Sequence, residues 1–255
     1  MNRVRGPIHP VAESWGFLLD GGEPPVFMAP YNPGYYNDFV QRLGYAKVKD
    51  LLAYDASTER NYRIPERFSR FGERRLADGS GLTVRMLSMK DFVRDADAIL
   101  SISNEAIKDN WGYVPLNRQE FQDMFRKLKP IADPHAIWFV EHRGTPVGFA
   151  PGFPDLNMIL RRIGGRLLPL GFLPLLFGIR SVTDYRLFGL AVLPQYHGKG
   201  LDVLLYLQIY KALSPRIRRL EANYVLEDNL RIRNALEKLR LDLVKTYRVY
   251  EKPLD

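Results

Sequence analysis

The stretch from Leu190 to Leu213 constrains this chain more than any other. It reads Leu-Ala-Val-Leu-Pro194-Gln195-Tyr196-His197-Gly198-Lys199-Gly200-Leu201 and continues to Leu213 with only Asp202, Gln208 and Lys211 interrupting a run of apolar and aromatic residues. A proline cannot donate to a strand ladder, so Pro194 stops an apolar strand. Glycine adopts positive φ without penalty, so Gly198 and Gly200 can turn the chain sharply. A helix that is apolar almost all round, as Leu201–Leu213 is, belongs in a core. The first N–H groups of such a helix have no intrahelical partner, and its dipole favours negative charge. With Lys199 beside them, these amides predict an anion site of the kind that takes a diphosphate. A dinucleotide fold would need Gly-x-Gly-x-x-Gly and a P-loop Gly-Lys-Ser/Thr; neither is present.

Strand and helix patterns alternate around this unit. Trp15–Leu19, Val26–Met28 and Val48–Tyr54 read as strands, and Asn32–Leu43 as a helix. Residues 55–80 alternate Arg with Glu and end in Asp-Gly-Ser-Gly, which predicts a charged linker with one helix opened by Pro65. Beyond it come strand Leu82–Leu87, helices Asp91–Lys108 and Asn117–Leu128, and a hairpin across His142–Thr145. The continuous apolar run Leu187–Leu193 is expected as one buried central strand. Leu220–Val225, Asn229–Leu239 and Leu243–Tyr250 then read strand, helix, strand. An offset of 196 residues carries Leu43, Val48, Lys49 and Tyr54 onto Leu239, Val244, Lys245 and Tyr250 without a gap. This echo predicts three segments: 1–54 as the end of a truncated, degenerate repeat, 55–80 as linker, and 81–255 as the main α/β domain.

The chain has no cysteine, which excludes disulfides, thiolate metal sites and a cysteine nucleophile. The histidines at 9, 135, 142 and 197 have no metal-ligand spacing, so no metal is expected. The net charge of +8 favours anionic partners, although the Arg-rich run at 59–75 is the pattern of a solvated face and no nucleic acid is expected. The N-terminal residues lack an apolar signal core, and the longest oily run, Leu167–Ile179, is shorter than the ~20 residues a spanning helix needs. A cytoplasmic location is the expectation. Residues 154–180 are rich in Leu, Phe, Pro and Gly behind Arg161, Arg162 and Arg166, so they must meet something apolar. Their own core, an acyl chain and a membrane or subunit surface are the choices, and a wall of an acyl or acceptor pocket is the expected role.

Gln195–Gly200 matches Gln/Arg-x-x-Gly-x-Gly/Ala, and further on Asn229 opens a helix ending Leu236-Glu237-Lys238-Leu239-Arg240-Leu241. In these motifs and in element order from 81 to 255, the chain resembles the GNAT superfamily of acyl-CoA-dependent N-acyltransferases. The resemblance implies an α/β fold with a mixed central sheet flanked by helices, and acetyl-CoA or another acyl-CoA as donor. It implies that Leu190 and Val192 offer backbone groups to pantetheine. The segment Gln195, Tyr196, His197, Gly198, Lys199, Gly200 and Leu201 would hold the pyrophosphate, and Asn229 would sit beside the pantetheine. Trp111 and Tyr113 would line the acceptor pocket. Two positions depart from the pattern: Leu236 stands where many members have a proton-donating Tyr, and Arg240 where they have Gly.

A base must take the proton of an attacking amine. Glu221, between Leu220 and Ala222 in a strand, is the first candidate and Asp184 the second; pairing with Arg218 or Arg219 is the structural alternative for Glu221. Tyr247 is the candidate acid in place of the missing Tyr. No covalent nucleophile stands out, so direct attack on the thioester is expected. The acceptor would be a small amine; a homodimer is left open. Two other readings compete: a GNAT-shaped module that binds without catalysis, and an enzyme that draws long acyl chains from an acyl carrier protein, like N-acyl amino acid synthases.

Overall fold

A computed structural model describes residues 2–9 and 14–254. The chain divides into two compact units that interleave along the sequence. The first comprises 1–62, 155–180 and 219–255; the second comprises 63–154 and 181–218. This is a different partition from the one read at 54 and 80. The segment 55–80 is not a linker. Its helix α2 (Glu66–Ala77), entered through Pro65, packs within the second unit with Gly72 against Leu204 and Leu207 of α7 (Leu201–Leu213).

The second unit is built on an antiparallel sheet. Strand β4 (Leu82–Met86) pairs with β5 (Ile137–His142), which pairs with β6 (Thr145–Pro154) across a turn at Arg143-Gly144. Helix α3 (Phe92–Ala106) and α4 (Arg118–Leu128, capped by Asn117) close its core, where Phe92, Phe121, Phe125, Phe139, Phe149 and Phe153 are buried together. The apolar run 187–193 is not one strand. It splits into β7 (Asp184–Leu187) and β8 (Ala191–Val192), both paired with β6. Gly152 faces Leu187 and Phe149 faces Ala191, so Ala150 and Pro151 oppose the three residues Phe188, Gly189 and Leu190. The extra residue makes a bulge, a feature that hydrophobicity alone cannot reveal.

The first unit has β1 (Arg3–Gly6), β2 (Phe17–Asp20), α1 (Tyr35–Arg42), β3 (Ala46–Ser57), α5 (Asn157–Arg162), α6 (Phe172–Gly178), β9 (Arg219–Leu226), α8 (Leu230–Lys238) and β10 (Asp242–Pro253). The expected strand at Val26–Met28 is a turn. Pro24 and Pro25 remove two donors, and the Phe27 amide is taken by the Asp155 carboxylate at 2.9 Å. Strand β3 lies between β10 and β9, all antiparallel, and β1 and β2 share the other edge of β10.

The β3·β10 ladder has an internal two-fold. Its centre is Leu51 opposite Tyr247, the pair joined by the 196-residue offset. Asp50·Arg248 mirrors Leu52·Thr246, Lys49·Val249 mirrors Ala53·Lys245, and Lys47·Tyr250 mirrors Tyr54·Leu243. Both irregularities obey the same operation, leaving Val48 and Val244 as the extra residue on each strand. The helix ends match as well. Leu43 and Leu239 donate to Phe39 and Ala235, Gly44 and Arg240 to Gln41 and Glu237, and Tyr45 and Leu241 to Val40 and Leu236. The tyrosines cross over: Tyr250 Oη donates to Asn37 Oδ1 at 2.9 Å, and Arg233 Nε donates to Tyr54 Oη at 3.4 Å. This symmetry supports reading 1–54 as the end of a repeat, with its strand paired to the strand of the second copy.

Candidate active site

In the second unit, Pro194–Tyr196 forms a short 3₁₀ turn after β8, and α7 begins at Leu201. Gly198 and Gly200 both stand at φ +74°. At Gly200 a side chain is excluded twice, because a Cβ would meet Phe71 Cζ at 2.3 Å. At Gly198 a Cβ would meet nothing within 4 Å, so that face of the turn is open. The amides of Tyr196, His197 and Lys199 are spent on Leu193, Pro194 and Tyr196 carbonyls. Gly198, Gly200 and Leu201 donate no backbone hydrogen bond among the described residues. The spare donors therefore gather at the open end of α7, where the dipole favours an anion.

Side chains brace this turn. Tyr196 Oη lies 2.8 Å from His142 Nδ1, and the Lys199 ammonium sits 4.9 Å from the centre of the Tyr196 ring. His197 is exposed on the turn. Its Nε2 is 2.8 Å from the Val192 carbonyl, so this ring nitrogen carries the proton and donates. That carbonyl, which the resemblance reserves for pantetheine, is thus engaged by the protein's own histidine. Leu190 lies in the bulge rather than in a strand. Gln195 is exposed at the turn.

Asp184, also in this unit, is buried and clamped by Arg218 through Nε at 2.8 Å and through Nη2. Neighbouring Tyr185 donates to Asp133 at 2.8 Å. Burial alone would raise the Asp133 carboxyl, but the Tyr185 hydroxyl, the His135 amide and the Arg216 guanidinium hold it below the usual range. Trp111 and Tyr113 follow α3 in a turn closed by the Tyr113 amide on Asn110. The Tyr113 hydroxyl donates to Asn104 Oδ1, and burial raises its pKa. These contacts make the loop a self-supporting turn.

In the first unit, Glu221 is fully buried on β9. Its Oε2 accepts from Arg219 Nη2 and from Lys245 Nζ, each at 2.5 Å, and its Oε1 from Asn223 Nδ2 at 2.9 Å. Arg219 Nε also reaches Asp55 Oδ2 at 2.9 Å, and Asp55 is shared with Arg60. Burial pushes the Lys245 ammonium down, against the upward pull of Glu221. Sequence reasoning identified Glu221 and the Arg219 pairing but missed Lys245 and Asp55, which reach it only through strand pairing. Tyr247 is buried in the same unit, edge-on to Tyr224 with ring centroids 5.0 Å apart.

Asn229 caps α8, its Oδ1 accepting from the Ile232 amide at 3.2 Å. Leu236, in place of the Tyr of many members, is buried. Arg240 takes φ +64°, the left-handed end of the helix, which explains physically why glycine is usual there. Among the described residues no group of three or more His, Asp and Glu is placed to hold a metal.

Comparison with known proteins bears on all of this. The model of the Acetyltransferase (GNAT) family matches residues 100–240. Over 99% of its length the chain is 31% identical to the bacterial ceramide synthase of Caulobacter vibrioides, covering 68% of that protein. It is 28% identical to protein YghO of Escherichia coli, covering 66% of it. Among solved structures, a GCN5-related N-acetyltransferase from Sphaerobacter thermophilus superposes with a TM-score of 0.58 at 13% identity, over 88% of this chain and 59% of that one. A tandem GNAT protein from the clavulanic acid biosynthesis pathway gives 0.54 at 12%, over 88% and 60%. These two likenesses establish the fold alone, and the chain spans only part of each of these proteins.

Proposed function

The chain belongs to the GNAT acetyltransferase family, and from that premise we propose that it is an N-acyltransferase that moves an acyl group from acyl-CoA to an amine. The observation that carries the reading is the turn at 194–201. Two glycines at positive φ, unspent amides of Gly198, Gly200 and Leu201, and an exposed Lys199 offer donors and positive charge to a diphosphate. In the reaction the amine nitrogen attacks the thioester carbonyl, the C–S bond breaks and the CoA thiolate leaves. One proton must pass from the amine to a base. Glu221 fills that role in this proposal, with Lys245 as its partner for charge and proton. Asp184 is the second candidate, held by Arg218 on both of its oxygens as Glu221 is held by Arg219, Lys245 and Asn223.

The acceptor we propose is a long-chain amine. A relative carries the name ceramide synthase, and a ceramide is the fatty amide of a long-chain amino alcohol. Thiol release tests this directly. Acyl-CoAs of increasing length should release CoA when a long-chain amino alcohol is added, and not with short amines. Gly198→Val should weaken CoA binding at least tenfold, ~1.4 kcal/mol. Lys199→Gln, which leaves the backbone conformation alone, should weaken it less. Glu221→Gln should bind CoA and lose 10²–10⁴ in turnover, the usual loss of a positioned base. CoA binding without release of thiol from any acyl-CoA would favour the non-catalytic module, which the buried Leu236 already favours. Release only from acylated carrier protein would move the donor site to that partner.

A further inference from the structure

Residues 156–180 have a surface that acyl transfer does not explain. Within the first unit, α5 and α6 are anchored from below. Ile159 is buried, and Gly178 lies close enough that a Cβ would meet Ile159 Cδ1 at 3.1 Å. The outer side is left open. Leu168 is 81% exposed, Phe177 77% and Leu170 66%, with Met158, Leu167 and Phe172 also exposed. Single exposed apolar residues are ordinary, but six within one short segment are the concentration that marks interaction sites. The charge around them has one sign. Arg161, Arg162, Arg166 and Arg180 are exposed, and the segment 156–183 contains no Asp or Glu. Among the described residues none of these four arginines forms an ion pair.

We propose that this face docks on an anionic lipid bilayer, with Leu168, Leu170 and Phe177 entering the headgroup–acyl boundary and the four arginines facing lipid phosphates. Exposed apolar side chains within a few residues of unpaired guanidinium groups are the composition of interfacial membrane anchors. A second protein surface would have to supply an acidic rim around an apolar centre; an anionic bilayer supplies both at once. No helix among the described residues is long and apolar enough to cross a membrane, so this contact is peripheral. The inference does not rest on acyl transfer, because lipid binding is read without CoA or amine.

The test is co-sedimentation of the full chain with vesicles of phosphatidylcholine alone, or of equimolar phosphatidylcholine and phosphatidylglycerol. Binding is expected to the mixed vesicles and to weaken as salt is raised. Each basic residue near an anionic surface is worth roughly fivefold in partition, so R161Q/R162Q/R166Q should lose on the order of a hundredfold at low salt. Leu168→Ser with Phe177→Ser should lose at least tenfold at every salt concentration. All five positions are exposed, so the unfolding midpoints should stay at the wild-type value and certify the fold. Equal binding to both vesicle types, no binding to either, or undiminished binding by the serine variant would overturn the proposal. So would a dimer in lipid-free solution that the serine variant dissolves, since the face would then join two copies of the chain.

Discussion

Helix α1 ends on Gly44 at φ +82°, and helix α8 ends on Arg240 at φ +64°. The hydrogen bonds on either side of the two residues are the same, position for position. The two helix–strand halves of the first unit thus keep one backbone with different side chains. The surroundings differ at the two lysines. Lys49 reaches Asp228 at 2.7 Å, and that carboxylate is exposed. Lys245, its counterpart, is buried against a buried Glu221. A backbone frame fixed by main-chain bonding tolerates such exchange, because the ladder and the helix end do not depend on which side chain is carried.

The largest test of this divergence is charge removal. Lys245→Met leaves Glu221 buried with Arg219 and Asn223 as its remaining donors, so the cost should be near the low end for a broken buried pair, about 3 kcal/mol. Lys49→Met should cost under ~1 kcal/mol, as exposed pairs do. Urea unfolding of both variants reads the difference, and equal losses would deny the two halves distinct roles. Removing the second charge should restore most of the loss: Lys245→Met with Glu221→Leu is expected to lie close to wild type.

The crossed tyrosines come next. Tyr250→Phe strands the buried Asn37 Oδ1 and should cost about 1–3 kcal/mol. Tyr54→Phe loses only a 3.4 Å contact with Arg233 and should cost less than ~1 kcal/mol. Paired unfolding curves at one temperature check the ranking.

An acid titration sharpens the comparison further. Burial would raise the Asp50 carboxyl, but Arg248 and Lys47 hold it below its ordinary 3.8. A folded-state pKa below the unfolded one stabilises the protein above that ordinary value, and the stability is lost as pH falls through the depressed value. Arg248→Gln should therefore flatten the acid limb of the stability–pH curve and cost roughly 1–2 kcal/mol at neutral pH. The mirror pair Leu52·Thr246 has no charge, so Thr246→Val should leave the acid limb unchanged.

The smallest effect is at the helix ends. Arg240→Gly should gain about 0.5–1 kcal/mol, since glycine holds the left-handed conformation without a Cβ penalty. Gly44→Arg should lose a similar amount. A Cβ there meets only Lys252 Cε at 3.7 Å and Nζ at 3.8 Å, ordinary contact distances, so the cost is conformational rather than steric. Thermal melts resolve both, and opposite signs are the expected result.

What the sequence by itself determined is local. The strand–Pro–Gly–helix order at 190–201, helices α3, α4, α7 and α8 and the hairpin at 142–145 follow from short-range periodicity and turn chemistry, which neighbouring residues decide among themselves, and the 196-residue echo is a likeness between two such local patterns. The tertiary structure decided the rest, because those features depend on a distant partner. Val26–Met28 turns rather than extends because Asp155 takes the Phe27 amide. The charged stretch 66–77 is a packed helix because Gly72 meets Leu204 and Leu207. The run 187–193 breaks because β6 offers two residues against three. Glu221 was legible as a buried carboxylate, but Lys245 and Asp55 were not legible as the groups around it. Pairing across β9, β3 and β10 brings them together from remote parts of the chain, and no spacing in the sequence encodes that approach.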